Sequence, residues 1–170
     1  MYAAIAQWVS WLPGGLMHSN VVACAVWGAP SGSSVATAVT VGTVAMGEIK
    51  KHKYNEPLFL GTIAAGGTLG ILIPPSINMM VATIPITTPI VVAAGYDPVW
   101  YGILVVLLME TALLTPPVGM NLFVVQGIRE RGDLNDVIIG TAPFIVTLFL
   151  MIGLIVAFPG IAMWLPNFLN

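Results

Sequence analysis

The sequence predicts an all-α membrane protein, and three observations predict it. The 170-residue chain is 58% hydrophobic and only 7% charged, with a mean hydropathy of +0.96, whereas a soluble domain carries about 25% charged residues. All five basic residues sit in two short loops, Lys50, Lys51 and Lys53 in one and Arg129 and Arg131 in the other. Two long apolar runs, Glu56–Met80 and Asp97–Gly127, each contain a double proline, Pro74-Pro75 and Pro116-Pro117. Other classes drop out quickly. The net charge of −2 says nothing about nucleic acid, but there is no basic patch to grip phosphates, so no nucleic-acid partner is expected. A single cysteine, Cys24, forms no internal disulfide. Met1 to Gly15 has no basic n-region, so no secretory signal is expected.

Element by element, Ala4–Leu16 reads as an interfacial helix within residues 1–16, with Trp8 and Trp11 at the water boundary and Pro13-Gly14-Gly15 ending it. Residues 18–49 hold two apolar halves around Gly28–Ser34, each short for a crossing. Gly28, Pro30, Ser31, Gly32, Ser33 and Ser34 are turn formers. The reading is a re-entrant helical hairpin, with Ser33 or Ser34 capping its second arm. One spanning helix with a Gly/Ser kink is the alternative.

Residues 57–80 and 98–128 follow as two broken helices. Pro57 matches Pro98 and Gly61 matches Gly102 at an offset of 41, and the double prolines match at 42. Proline removes backbone donors and ends the helical ladder. In a bilayer such a break is tolerated only where protein or a cavity surrounds it. Paired breaks in two repeats point to the binding site of a transporter. Pro75 and Pro117 are expected as first residues of the second halves, where a missing N–H costs little. Residues 81–95 hold Pro85 and Pro89 and are too short to cross. Residues 137–158 form the last span, with Trp164 and Phe168 in an interfacial belt beyond it. The positive-inside rule puts both basic loops in the cytoplasm, so the first broken helix runs outward and the second returns. The protein is therefore expected to be multi-pass in a lipid bilayer.

A broken helix exposes carbonyls that suit a cation and amides that suit an anion. Thr68, Ser76, Asn78, Thr115 and Asn121 add neutral oxygens and amides near the breaks, and hard cations prefer oxygen ligands. No basic side chain lies in a predicted span, so an anion would meet helix N-termini and hydroxyls. Glu110 is the one acid inside a span; it is either functional, the default for an intramembrane charge, or a structural anchor at a helix interface. His18 and His52 lack the partners of a metal site. Gly66 and Gly70 form a GxxxG that permits close helix packing. The serines of Gly28–Ser34 have no embedded histidine or lysine to activate them, so the chain is not expected to be an enzyme.

The motifs LPGGL at Leu12–Leu16, SGSSVAT at Ser31–Thr37, GTLGILIPPS at Gly67–Ser76, GYDPVWYGI at Gly95–Ile103, LLTPPVGMNLFV at Leu113–Val124 and FPGIAMWLP at Phe158–Pro166 resemble the large membrane subunit (DctM-like) of tripartite ATP-independent periplasmic (TRAP) transporters. The resemblance implies a sodium-driven secondary transporter of the ion transporter superfamily in the bacterial inner membrane. It implies an organic anion as substrate, a C4-dicarboxylate or a sugar acid. It also implies two partners, a periplasmic solute-binding protein and a small DctQ-like membrane subunit. Carried onto this chain, the hairpin tip Ser31, Gly32, Ser33 and Ser34 and the break from Gly70 to Pro74 form one sodium site, built largely of backbone carbonyls. Thr115 and Val118 form half of another. The substrate would meet Ser31, Ser33, Ser34, Ser76, Thr115 and Asn121. A sodium/proton antiporter of the same superfamily is the alternative, though it should need more buried acids than Glu110.

The family's large subunit has a second hairpin and several spans between its two broken helices. Here residues 81–95 look like only the tail of that hairpin. The reading is thus a fragment or an internal deletion, with a non-transporting partner of the small subunit as an alternative role. The expected outcome is that liposomes containing this chain alone show no sodium-dependent uptake of a dicarboxylate; a radiolabelled uptake assay checks it.

Overall fold

The computed structural model describes residues 5, 7–9, 12–49, 54–72, 84–129 and 132–169. Among these, every regular element is a helix: α1 Gly15–Ser31, α2 Ser34–Ile49, α3 Glu56–Leu72, α4 Ile84–Ala93, α5 Pro98–Leu114, α6 Met120–Ile128, α7 Leu134–Ala157 and α8 Pro159–Leu169. Only α7 is long and apolar enough by itself to cross a bilayer, while α2, α3 and α5 are shorter apolar helices.

Local chemistry sets several boundaries. Gly32 ends α1 in the left-handed region at φ 58°, with its N–H on Gly28 O at 3.0 Å, a conformation that glycine adopts without a Cβ clash. The α1 helix runs on through Gly28, Ala29 and Pro30, so the turn to α2 is only Gly32-Ser33, tighter than the Gly28–Ser34 turn expected from sequence. Asp97 caps α5 by accepting from Val99 N at 2.7 Å and Trp100 N at 3.3 Å, with Pro98 at the first helical position. Asn55 does the same for α3, accepting from Leu58 N at 3.1 Å. The capping residues Asn55 and Asp97 are thus 42 apart, as are the double prolines.

The centre of the molecule is α3. It packs against α1, α2, α5, α6 and α7, and it is buried nearly all round: Phe59, Leu60, Gly61, Thr62, Ile63, Ala64, Gly66, Gly67, Thr68 and Gly70 are all inside. Phe59, Leu60 and Ile63 join Leu114, Leu122, Val125 and Val137 in the main core. Each glycine of α3 faces a different neighbour. A Cβ on Gly61 would strike Gly140 O of α7, and one on Gly140 would strike Pro57 O of α3. A Cβ on Gly66 would lie 3.1 Å from Cys24 Sγ in α1, and one on Gly67 would lie 2.7 Å from Ala38 Cβ in α2. Small residues at helix interfaces let backbones approach in this way.

Chain direction is fixed at both ends. At one end Arg129, which follows α6, binds Glu56 at the start of α3 and Asp136 at the start of α7 (3.2 Å). At the other, Trp100 Nε1 near the start of α5 donates to Ile155 O near the end of α7 at 3.1 Å. So α3 and α7 run the same way and α5–α6 runs back. Residues 73–83, which include Pro74, Pro75, Ser76 and Asn78, lie outside the described residues, as do residues 1–4, 6, 10 and 11 of the region expected as an interfacial helix at 1–16.

The two matched glycines differ in surroundings. Nothing among the described residues lies within 4 Å of a Cβ on Gly102. Gly140→Val should therefore force α3 and α7 apart and cost about 1–3 kcal/mol. Gly102→Ala should leave stability unchanged or raise it by about 0.5–1 kcal/mol through helix propensity. Thermal unfolding of the two variants in the same detergent checks both.

Candidate functional site

Two clusters of polar groups adjoin α3. The first lies where the α1–α2 turn meets the end of α3. Ser31 Oγ is 2.6 Å from Thr37 Oγ1 and donates to Gly28 O and Ser33 O at 3.3 Å each. Ser33 Oγ accepts from Ala36 N at 3.4 Å and so caps α2. Ser34 and Thr37 are buried. Gly70 is what lets this turn reach α3. A Cβ there would lie 2.5 Å from Ser33 O and would also strike Thr37 Oγ1, while a Cβ on Gly28 would lie 3.0 Å from Gly70 Cα. The Ser33 carbonyl, the Ser31 and Thr37 hydroxyls and the bare face of Gly70 are thus neighbours.

The second cluster is the turn between α5 and α6. Thr115 ends α5; its hydroxyl donates to Thr111 O at 2.6 Å and its own carbonyl accepts from Gly119 N at 2.9 Å. That bond closes a turn over both Pro116 and Pro117. The first residue of α6 is therefore Met120, preceded by Gly119 as N-cap. Pro117 lies in the turn rather than opening the second half, which corrects the expectation from sequence; Pro75 lies outside the described residues. Val118 is exposed in the same turn. Asn121, in the first turn of α6, is fully buried: its Nδ2 donates to Ala64 O of α3 at 3.0 Å, and its Oδ1 has no partner among the described residues.

Of the residues singled out from sequence, Ser31, Ser33, Ser34 and Gly70 come together in the first cluster, and Thr115, Val118 and Asn121 in the second. Pro74 and Ser76 are outside the described residues. Gly28 and Thr37 were not among the site residues expected from sequence. Thr37 stood within the SGSSVAT motif, six residues from Ser31 and so in reach only once the turn forms. Gly28 was read as a turn former, yet it is helical, and its small size serves contact with Gly70. The first cluster offers only neutral oxygens, the donor type that hard cations take. No group of three or more His, Cys, Asp or Glu side chains that could hold a metal occurs among the described residues.

The family model described as the DctM component of the tripartite ATP-independent periplasmic transporter matches residues 1–84 and 79–161. A C4-dicarboxylate TRAP transporter large permease protein, DctM, of Vibrio cholerae is 36% identical over 92 residues, 54% of this chain and 20% of that protein. The sialic acid TRAP transporter large permease protein SiaM of the same species is 32% identical over 112 residues, 65% of this chain and 23% of that protein. The ectoine TRAP transporter large permease protein TeaC of Halomonas elongata is 40% identical over 95 residues, 56% of this chain and 22% of that protein. The matched stretch is thus about a fifth of the length of these relatives. No solved structure matches the chain.

Thr37→Val keeps the shape of the side chain and removes its bond to Ser31. The expected loss is about 1 kcal/mol, read as a lowered unfolding midpoint. Thr43→Val is the control, since the Thr43 hydroxyl is exposed and bonds only Val39 O of its own helix.

Proposed function

Because the chain belongs to the DctM family of tripartite ATP-independent periplasmic transporters, we propose that it forms part of the large membrane subunit of a sodium-coupled carrier for an organic anion in the bacterial inner membrane. The family is one of transporters, not of enzymes. The observation that carries the sodium reading is the approach of the hairpin turn to α3 across Gly70. There a backbone carbonyl and two hydroxyls crowd a helix face stripped of side chains.

The α1–α2 hairpin is taken as re-entrant, its Gly32-Ser33 tip inside the membrane. Sodium is held by Ser31, Ser33, Ser34 and the Gly70–Pro74 stretch, with a second ion at Thr115 and Val118. The α5–turn–α6 segment is one broken crossing. The 17 residues of α5 reach ~25 Å at 1.5 Å per residue, short of a ~30 Å hydrocarbon core, and α6 supplies the rest. The Arg129 end faces the cytoplasm, in keeping with the nearby basic loops. An organic anion, a C4-dicarboxylate or a sugar acid, is received by Ser31, Ser33, Ser34, Ser76, Thr115 and Asn121 together with the N-termini of α2 and α6, since no basic side chain lies in the spans. Relatives named for C4-dicarboxylate and for sialic acid support that class of solute. A periplasmic solute-binding protein and a small membrane subunit are the partners.

The test is thermal unfolding of the chain in sodium chloride and in choline chloride at equal ionic strength. Sodium at ~100 times its Kd should add ~2.7 kcal/mol of stability. Gly70→Ala, which puts a methyl where Ser33 O lies, should abolish that difference. Equal midpoints of the unaltered chain in the two salts would refute sodium binding by these residues.

A further inference from the structure

We propose that Glu56 and Arg129 are positioning residues for the α5–α6 turn: their ion pair selects the one antiparallel register in which α6 lies on α3, and so sets the depth at which Thr115 and Val118 are held. The α6 helix is pinned to α3 near both of its ends. In its first turn, Asn121 Nδ2 donates to Ala64 O at 3.0 Å. At its C-cap, Arg129 Nη2 donates to Glu56 Oε1. Asn121 and Arg129 are eight residues apart, and so are Glu56 and Ala64. Both helices therefore offer the same ~12 Å between pins, and the two bonds close in one register. Between the pins, Leu122 and Val125 of α6 are buried in one cluster with Leu60 and Ile63 of α3. The α6 helix is also keyed into α2, where a Cβ on Gly42 would strike Ile128 Cδ1.

The two pins differ in what they specify. A carbonyl oxygen has two lone pairs, so a buried amide such as that of Asn121 could be served one turn up or down α3. Arg129 has no such freedom. Its side chain is 4% exposed, and a buried cation needs an anionic partner. One turn further into α3 it would meet Leu60, which is fully buried. The other way, the sequence ahead of Glu56 holds no carboxylate from Ile49 to Asn55 and brings Lys53 and His52 instead. The loop after α6 is built around the same guanidinium. Asp136 Oδ2 accepts from it at 3.2 Å, Asp133 O accepts from Nη1 at 3.2 Å, and a Cβ on Gly132 would strike Nη2. Arg129 is ten residues from Gly119, ~15 Å along the axis, so the pair acts on the turn through the helix and not by contact. The inference concerns the level of the turn and holds whatever the turn binds.

Distances between spin labels on the chain in lipid vesicles test it. One label sits at Gly153→Cys on α7, which is locked to α3 where Gly61 meets Gly140. The second sits either at Gly127→Cys, near the pair, or at Met120→Cys, beside the turn. Nothing lies within 4 Å of a Cβ on Gly127 or Gly153, Met120 is exposed, and Cys24 is buried away from the label. The unaltered chain should give one distance for each pair of labels. Glu56→Gln should add a second population to both, displaced by ~5 Å, the rise of one turn. Glu56→Asp keeps the carboxylate and should restore the single distances, which a general loosening of the fold would not do. Distances that Glu56→Gln leaves unmoved would overturn the proposal, and so would a change at Gly127 that does not reach Met120. If Glu56→Gln does not fold, Arg129→Lys decides, because an ammonium cannot hold two carboxylates as a planar fork does. The same second population is expected, and unmoved distances would again overturn the assignment.

Discussion

The fold depends on how closely three helices and a turn can approach the backbone of α3. Gly61, Gly66, Gly67 and Gly70 lie along that helix, and each is the place where a different partner arrives: Gly140 of α7, Cys24 of α1, Ala38 of α2, and the Ser33 turn. Because side chains there are absent, the contact is backbone against backbone or against a single small group. Dispersion falls off steeply with a gap of even an ångström, so this closeness is what makes a helix buried on all sides worth surrounding. It also explains why polar groups of the tip can sit beside a helix that is otherwise apolar.

With α3 so enclosed, hydroxyls have few places to go. Thr62, Thr68, Thr111, Thr115, Thr141 and Thr147 each donate to a carbonyl three or four residues back in their own helix. They cost little in an apolar setting, because their protons are satisfied locally. Among the described residues, other polar bonds cross between helices and tie specific ones together. Asn20 Nδ2 donates to Thr62 Oγ1 at 2.9 Å and joins α1 to α3. Asn121 joins α6 to α3, Trp100 joins α5 to α7, and Arg129 joins α6, α3 and α7 at one end. The hairpin cluster and the segment after the α5–α6 turn therefore both rest on α3.

Much of the site was visible as local chemistry. The Gly32 turn, the Asp97-Pro98 start of α5 and the interruption at Pro116-Pro117 all follow from residue types that act within a few positions. The misplacements have physical causes of the opposite kind. Pro117 was expected to open a helix, yet the Thr115–Gly119 bond encloses both prolines in the turn. Gly28 was expected to bend the chain, yet it stays helical because its bare Cα is what meets Gly70, 42 residues away. The matched pair Gly61 and Gly102 looked equivalent by spacing, but one is pressed against α7 and the other opens on space.

The sequence by itself determined the class: all-helical, apolar, basic residues confined to two loops, with double prolines recurring at a spacing of 42. Those properties come from side-chain hydropathy and from the backbone limits of glycine and proline, which act wherever the chain goes. The tertiary structure alone decided which of these residues meet. That Glu56, Arg129 and Asp136 share one end, that Thr37 adjoins Ser31, and that Asn121 reaches Ala64 O of α3 are consequences of helix packing. Such contacts join residues as many as 73 positions apart, and no local preference of the chain encodes a distance of that kind.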